Sequence, residues 1–442
     1  MPKNYLSFMR AAMMAIPLFY TFHASAGNYK TCIKFQIKTV DSGLGITNGP
    51  NTGGKEDYYL NANAGEEVIA RGVRVQMSNG NWNKTFDSNP STGCFSWSHA
   101  ATSGFSLRVY GYATDSAGNY VRIHNSPNSF TSYPGQTYSI LRTNLTPTNG
   151  GVDTYSVGSY DQKWTTMAVL AFSLYRFHPG LTNKAIHVGL DDSKCGGSSA
   201  HYGKSNSSIT SGRHYLIIGN CASGGTPQSK RKFVVTHELG HALAALYYGS
   251  QVGAVNGSEP NVNDYSHPAQ GVGLGPKDSA TFCSQSSPFY SMRSIEWNSV
   301  GFREGFAHFV AAAIWNNQSY EGAFRWFEGL TYDLERYNYG NGDNNGGRLE
   351  NECGTPFTDA GTNEDWLRFL WDWYTNRSTT CPQKPSALDM MKLYAQVRLN
   401  GGLTSKNYFD KMQTAANNLI HLPSCLRTSR FDAYAVHNGI NN

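Results

Sequence analysis

One short segment near the middle of the chain constrains the fold more than any other. Residues 234–243 read VVTHELGHAL, an apolar run interrupted by two histidines and a glutamate. Because a helix turns once every 3.6 residues, His237 and His241 project from the same face, one turn apart. The apolar positions predict a buried helix, and Gly240 allows another element to approach it closely. Such a helix has no ordinary structural use for His237, Glu238 and His241.

The spacing of these polar residues is typical of a metal site. Two neutral imidazoles one helical turn apart can both bind one Zn²⁺ at about 2.0–2.1 Å. Glu238 then lies beside the metal, where its carboxylate can accept a proton from water and act as a general base. The competing interpretation is two solvated histidines with a surface glutamate, which the apolar context disfavours. The segment therefore predicts a zinc site with His237 and His241 as ligands.

A zinc site of this kind needs a third protein ligand. After His241 the chain reads ALAALYYG, which lacks the glycine and the third histidine at the spacing that metzincins use. The better candidate is Glu304, 63 residues beyond His241, within an apolar segment at residues 300–312 that also predicts a buried helix. A carboxylate in such a helix is costly unless it is paired or bound to a metal. We therefore expect Glu304 to be the third ligand.

With these residues the chain resembles the gluzincins, which include thermolysin-like enzymes and aminopeptidase N relatives within the peptidase MA-like group. The resemblance lies in His-Glu-x-x-His followed by a helix that reads Glu-Gly-Phe-Ala from Glu304 onward. It implies a zincin-like fold, peptide-bond hydrolysis and Glu304 as a zinc ligand. It also places His308 where many gluzincins keep an aspartate that hydrogen-bonds a ligating histidine, which predicts an orienting role for His308. A closed site with His308 as a fourth ligand would instead be structural.

Departures from the gluzincin pattern bear on the substrate and on the remaining catalytic groups. The two helices are further apart than in aminopeptidase N relatives, whose Gly-Ala-Met-Glu-Asn exopeptidase motif is absent. Between them, residues 256–278 are rich in Gly, Pro and Asn and predict a surface loop. The aromatic segment 363–374 predicts a core helix rather than a substrate-binding one. The residue that stabilises the oxyanion stays open among four downstream tyrosines, Tyr332, Tyr337, Tyr339 and Tyr374.

The first 26 residues have the features of a signal peptide. Lys3 and Arg10 precede an apolar stretch at residues 11–20, and residues 24–26 read ASA, a small-residue cleavage site. The stretch is too short to span a bilayer, and no later segment approaches the ~20 apolar residues that a membrane helix needs. We therefore expect a secreted or periplasmic protein without a membrane span. The other interpretation of residues 1–26 is a disordered or buried N-terminus.

The cysteine content fits an exported protein. The eight cysteines form an even number, and none belongs to a Cys-x-x-Cys pair that would indicate a thiolate metal site. Connectivity does not follow from sequence alone. Pairing neighbours in order keeps each bridge within one region of the chain, and it predicts four disulfides: Cys32–Cys94, Cys195–Cys221, Cys283–Cys353 and Cys381–Cys425.

Local patterns change along the chain and predict a multidomain protein. Residues 27–145 combine alternating runs, such as 33–38 and 105–110, with frequent turn residues, which predicts a small all-β sandwich. The runs 72–75, 85–87 and 93–97 resemble the Ig-like or transthyretin-like modules of many secreted hydrolases. Residues 146–160 are rich in Asn, Thr, Pro and Gly and predict a linker. Residues 161–442 predict an α+β domain, and the resemblance to gluzincins implies that it is a zincin-like metallopeptidase domain. Its expected strands are 186–190 and 214–218, and its expected helices are 162–177, 230–248, 302–316, 363–377, 387–399 and 405–419.

Composition argues against several other kinds of partner. Only 15% of residues are charged, the formal net charge is +5, and no block of like charge indicates a nucleic-acid surface. The patterns together predict a secreted zinc peptidase that acts on a protein or peptide substrate with Glu238 as general base. Two alternatives stay open: a non-catalytic exported binding or adhesion protein with a structural zinc site, and a metallohydrolase acting on something other than peptides. The N-terminal domain would be an accessory module or a propeptide.

Overall fold

In the computed structural model the chain combines mixed β-sheets with helices in an α+β arrangement. No helix among the described residues is both long enough and apolar enough to cross a bilayer. The predicted loop at 256–278, the disulfides Cys195–Cys221 and Cys283–Cys353, and residues 1–25 lie outside the described part. The structure describes residues 26–38, 66–125, 137–177, 179–193, 201–204, 214–220, 228–251, 295–315, 318, 360–376, 378–399, 408–438 and 440.

The strands follow from alternating apolar and polar side chains, because successive residues of a strand point to opposite faces. In Phe105–Thr114, each odd-numbered residue is buried and each even-numbered residue is partly exposed. The strands predicted at 33–38 and 105–110 are confirmed, but both are longer in the structure: the first runs from Gly27 to Ile37 and the second from Phe105 to Thr114. In chain order the strands are β1 (Gly27–Ile37), β2 (Glu66–Ile69), β3 (Val73–Asn79), β4 (Trp82–Asp87), β5 (Cys94–His99), β6 (Phe105–Thr114), β7 (Tyr120–Ile123), β8 (Ser139–Leu145), β9 (Val152–Val157), β10 (Ala185–Asp191), β11 (His201–Lys204), β12 (His214–Gly219), β13 (Ile295–Trp297) and β14 (Ala360–Thr362).

The first sheet is built around the long strand β1. β2 and β5 pair with β1 antiparallel, and β9 pairs with it parallel. Cys32 and Cys94 are opposite each other in the β1–β5 ladder and form a disulfide, which confirms the first predicted pair. β9 falls within residues 146–160, whose composition predicts a linker. Its residues VDTYSV pair with a strand more than a hundred residues away, a partner that local composition does not reveal.

The second sheet takes strands from both sides of residues 146–160. Its order is β11-β12-β10-β7-β6-β3-β4, with β8 also paired to β6. β7 pairs in parallel with β10, which joins the strands before that segment to the strands after it. The predicted division into residues 27–145 and 161–442 therefore does not coincide with a boundary between sheets. The strands predicted at 186–190 and 214–218 are confirmed as β10 and β12.

Helices dominate the described chain after residue 161. The first begins where the Asp161 side chain accepts a hydrogen bond from the backbone N–H of Lys163 at 2.7 Å, as N-cap residues do. The helices predicted from apolar periodicity are confirmed, with ends shifted by a few residues. In chain order the helices of the described residues are α1 (Gln162–Arg176), α2 (Lys232–Gln251), α3 (Asn298–Trp315), α4 (Asn363–Thr375), α5 (Ala387–Leu399), α6 (Tyr408–Asn417), α7 (Ser424–Arg427) and α8 (Ser429–His437). The sequence patterns did not predict α7 and α8. The disulfide Cys381–Cys425 joins the segment before α5 to α7, and so confirms a second predicted pair.

The helical part has an aromatic core. Trp366, Trp371 and Trp373 of α4 are completely buried, which confirms the core interpretation of residues 363–374. The ring of Phe302 in α3 lies 5.3 Å from Trp366 and 5.4 Å from Tyr394 of α5, measured between ring centroids. Aromatic pairs at such distances add to the free energy gained by burial. They hold α3 in place against both neighbouring helices.

Glycines allow α2, α3 and α4 to cross at close range. A Cβ atom on Gly240 of α2 would lie 2.8 Å from the carbonyl oxygen of Ala307 in α3. A Cβ atom on Gly305 of α3 would lie 2.5 Å from the Cβ atom of Trp366 in α4. Real Cβ atoms do not approach other atoms this closely, so the helices can cross here only because both residues lack a side chain. The prediction that Gly240 admits a neighbouring element is confirmed.

Gly240→Ala is expected to destabilise the protein by about 1–3 kcal/mol, the usual cost of overpacking. Alanine favours a helix over glycine by about 1 kcal/mol, but its methyl group would meet the backbone of Ala307, which cannot rotate away. The measurement is the free energy of unfolding in urea. Ala433→Gly at an exposed position of α8 is the control, since it makes the reverse change of helix propensity at the protein surface. A Gly240→Ala protein as stable as the parent would contradict this description of the crossing.

Candidate metal centre

Three side chains from α2 and α3 converge on one point. His237 and His241 lie one turn apart on α2, and their Nε2 atoms are 3.2 Å apart. Glu304 approaches from α3, with its Oε2 atom 3.3 Å from His237 Nε2 and 3.1 Å from His241 Nε2. The structure thus brings together the three residues that the sequence predicts as ligands. In the part of the chain that is described, no other group of three His, Cys, Asp or Glu side chains comes as close.

The separations of these atoms fit a single bound cation. In a tetrahedral site with ligands at about 2.0–2.1 Å, neighbouring ligand atoms are about 3.3–3.4 Å apart. The corresponding distances here are 3.1, 3.2 and 3.3 Å. Hydrogen bonds alone account poorly for the cluster, because each imidazole nitrogen carries at most one proton and cannot donate to both of its neighbours. The group can therefore bind a divalent metal, and imidazole and carboxylate ligands suit several such metals.

The electrostatics of Glu304 favour its ionised form. Its side chain is 13% exposed, and burial alone would raise the pKa of the carboxyl group. The charge of His241, hydrogen bonds from His237 and His241, and the charge of Arg303 outweigh burial and hold the pKa of Glu304 well below its ordinary value. The carboxylate is therefore negative at neutral pH, which is the state that binds a metal.

His308 lies one turn beyond Glu304 on α3, and its ring packs against the ring of His237. The two ring centroids are 4.0 Å apart and the ring planes are inclined by 40°. Burial lowers the pKa of His308 well below its ordinary value; His237 and His241 lower it further, while Glu304 acts in the opposite direction. His308 is therefore neutral at neutral pH. Its predicted role, orienting a ligating imidazole through a hydrogen bond, stays a prediction.

Glu238, the predicted general base, follows His237 on α2 and is 8% exposed. It lies in a part of the protein where charges interact more strongly than in water, since the local dielectric constant is low. Among the tyrosines considered for oxyanion stabilisation, Tyr374 is half-buried on α4, with its ring centroid 5.2 Å from that of Phe309. The other three lie outside the described residues, and the assignment stays open.

Arg303 is at the site, although the sequence patterns did not single it out. Its Nε and Nη2 atoms both donate to Oε1 of Glu304, at 3.2 and 2.9 Å. The sequence does contain one indication of its importance. Arg303 is a second charged residue in the apolar segment 300–312, and a charge in a buried helix needs a partner. The sequence does not predict that Arg303 pairs with Glu304, since adjacent residues of a helix ordinarily point in different directions.

Hydrogen bonds hold the ligand-bearing helices in register. Trp315 at the end of α3 donates from Nε1 to Oγ1 of Thr236, the residue before His237, at 3.1 Å. Ahead of α2, Ser229 donates from Oγ to Oδ1 of Asn220 at 2.7 Å. Asn220 in turn donates its backbone N–H to the carbonyl of Asp191, at the end of β10, at 2.9 Å. The site is therefore supported by the sheet and by the far end of α3.

Comparisons with known proteins do not assign the chain to a family. No protein-family model matches it, and no curated protein matches it either. The likeness to gluzincins consequently rests on two short stretches, residues 237–241 and 304–307, and on where the fold places them. Any functional conclusion has to come from the chemistry of the site.

Proposed function

We propose that the chain is an exported zinc metallopeptidase of the gluzincin kind. The observation that carries this proposal is the convergence of His237, His241 and Glu304 on one point, with Glu238 next to His237 in a buried helix. Two histidines and a glutamate are the ligand set of thermolysin and carboxypeptidase A, in which the fourth position is left for water or substrate. The proposed substrate is a protein or peptide.

Each residue has a separate task in the proposed reaction. His237 and His241 would bind zinc through Nε2, and Glu304 would bind it through Oε2. When bound, zinc supplies Lewis-acid activation of a water molecule and of the scissile carbonyl. Glu238 accepts a proton from the attacking water and delivers it to the leaving nitrogen, so that the product leaves as a neutral amine. Burial of the site limits competition from bulk water during these proton transfers.

The number of available ligands supports a catalytic site over a structural one. Structural zinc sites are closed by four protein ligands, whereas catalytic sites use three and keep one position open. Within the described residues, ligand atoms from three side chains lie within 4.8 Å of one another. His308 packs against His237 but does not belong to this group.

Two features support export and the proposed architecture. Disulfides persist in oxidising compartments, and the structure contains Cys32–Cys94 and Cys381–Cys425. Residues 1–26 have the charge, apolar stretch and small-residue end of a signal peptide. In this proposal residues 161–442 hold a zincin-like domain, and residues 27–145 form an accessory Ig-like or transthyretin-like module that shares a sheet with it.

Zinc stoichiometry and X-ray absorption at the zinc edge test the proposed site. We expect one zinc ion per chain with two imidazoles among its ligands, and an unchanged count of imidazoles in His308→Ala. His308→Ala is the matched control because it removes a neighbouring histidine that the proposal does not use as a ligand. A third imidazole that disappears in His308→Ala would favour a structural zinc in a binding or adhesion protein. A folded chain that takes up no zinc would overturn the proposal.

A further inference from the structure

We propose that Arg303 is a positioning residue that restricts Glu304 to binding the metal through one oxygen, Oε2. The inference rests on the proposed zinc site and goes beyond it by assigning a task to a residue that no sequence motif marks. It also explains how a carboxylate with two oxygens keeps one coordination position free for water.

The two oxygens of Glu304 have different partners. Oε1 accepts hydrogen bonds from Nε and Nη2 of Arg303, at 3.2 and 2.9 Å. Oε2 lies 3.1 Å from His241 Nε2 and 3.3 Å from His237 Nε2. Because charge-assisted hydrogen bonds are among the strongest in proteins, Oε1 is held away from the point where the histidines converge. Only Oε2 is presented to a metal.

A second pair in the structure shows the geometry that an arginine adopts when it takes both oxygens of a carboxylate. Arg74 of β3 donates from Nε to Oδ1 of Asp87 at 2.9 Å and from Nη2 to Oδ2 at 3.0 Å. This fork-to-fork arrangement is the usual bidentate pairing of arginine with a carboxylate. Arg303 uses the same two nitrogens but places both on a single oxygen of Glu304. Oε2 of Glu304 is therefore left to bind the metal.

Arg303 restricts rotation of the Glu304 side chain. The backbone of α3 is already fixed where Gly240 meets Ala307 and where Gly305 meets Trp366. What remains to Glu304 is rotation about its own side-chain bonds, which would let the carboxylate turn and bind the metal through both oxygens. Since catalytic zinc sites keep one position for water, a second carboxylate oxygen on the metal would occupy the place where the nucleophile binds.

Arg303→Met tests the inference because methionine keeps an apolar stem of similar length and loses the guanidinium. We expect the zinc dissociation constant to rise about 10–100-fold, the usual effect of removing a group that orients a ligand. We also expect the crystal structure of the zinc-loaded variant to show Glu304 bound through both oxygens. Arg303→Lys should recover only part of the affinity, since lysine is a point charge that cannot place two nitrogens on Oε1. Arg74→Met is the matched control and should bind zinc with unchanged affinity.

The outcomes separate this inference from the proposed function. Two results would overturn the role of Arg303 without affecting the proposed zinc site. One is an equal zinc affinity in wild type and Arg303→Met, and the other is a variant in which Glu304 still binds zinc through one oxygen. A wild-type chain that binds no zinc would overturn both. Unfolding temperatures of the metal-free proteins provide the check on folding. We expect Arg303→Met to unfold at a lower temperature than wild type, because the Glu304 carboxylate loses its charged partner. It should still be folded at the temperature at which zinc binding is measured, so that the change in coordination is not a consequence of unfolding.

Discussion

Glu238→Gln is expected to lower kcat for peptide hydrolysis by about 10²–10⁴-fold, the contribution of a general acid–base group. Glutamine keeps the shape of Glu238 and its place in the buried helix, but its amide cannot accept a proton from the attacking water. Because Glu238 is not one of the three converging ligands, zinc content should stay at one ion per chain. The loss should therefore appear in kcat and not in metal binding.

The comparison needs a control with the same chemistry elsewhere. Glu67→Gln removes a carboxylate whose side chain is 41% exposed and lies 3.8 Å from the Lys34 ammonium group, and it should leave kcat unchanged. Initial rates of cleavage of an unstructured protein give kcat, and a zinc measurement on the same samples gives the metal content. A Glu238→Gln protein that keeps the wild-type kcat would rule out Glu238 as the general base.

Glu304→Gln is expected to weaken zinc binding by more than the factor of about 100 that marks the upper range for orienting groups. The substitution removes the only negative charge among the three converging ligand atoms, so the metal would be bound by neutral groups in a shielded site. It also leaves the Arg303 guanidinium facing an amide, and an arginine that loses its carboxylate in a poorly solvated place is destabilising. Activity should fall with metal content and recover only partly at high zinc concentration.

Competition with a chromophoric chelator measures this affinity directly. Glu67→Gln again serves as the matched control, because it makes the same change at an exposed site and should keep the wild-type dissociation constant. His241→Ala provides a second variant, in which a ligand is lost without disturbing the pair formed by Arg303 and Glu304. Wild-type zinc affinity in Glu304→Gln would contradict the assignment of Glu304 as a ligand.

The helices and the converging residues were predictable because their signals are local. Apolar periodicity is a property of ten to twenty consecutive residues, so α2 and α3 could be placed within a few residues of their ends. The i, i+4 spacing of His237 and His241 fixes a common face whatever the tertiary structure. Glu304 followed from the cost of a carboxylate in an apolar helix, together with the resemblance to gluzincins.

The strand pairing and the role of Arg303 were not predictable in the same way. β9 is a strand because it pairs with β1, which lies far away in the sequence. In the second sheet β7 pairs with β10, although a segment with the composition of a linker separates them in the sequence. Strand partners are set by contacts between distant residues, which composition does not record. Arg303 and Glu304 are adjacent in a helix, where side chains normally diverge, so only the folded geometry shows that they pair.

Chelator-dependent cleavage of casein by the purified protein tests the central claim most directly. We expect the zinc-loaded protein to cleave casein, removal of the metal to abolish cleavage, and added zinc to restore it. A folded protein with one zinc ion per chain that does not cleave casein or any other unstructured polypeptide would contradict the proposed peptidase. In that case the three converging side chains would form a metal site with a different purpose.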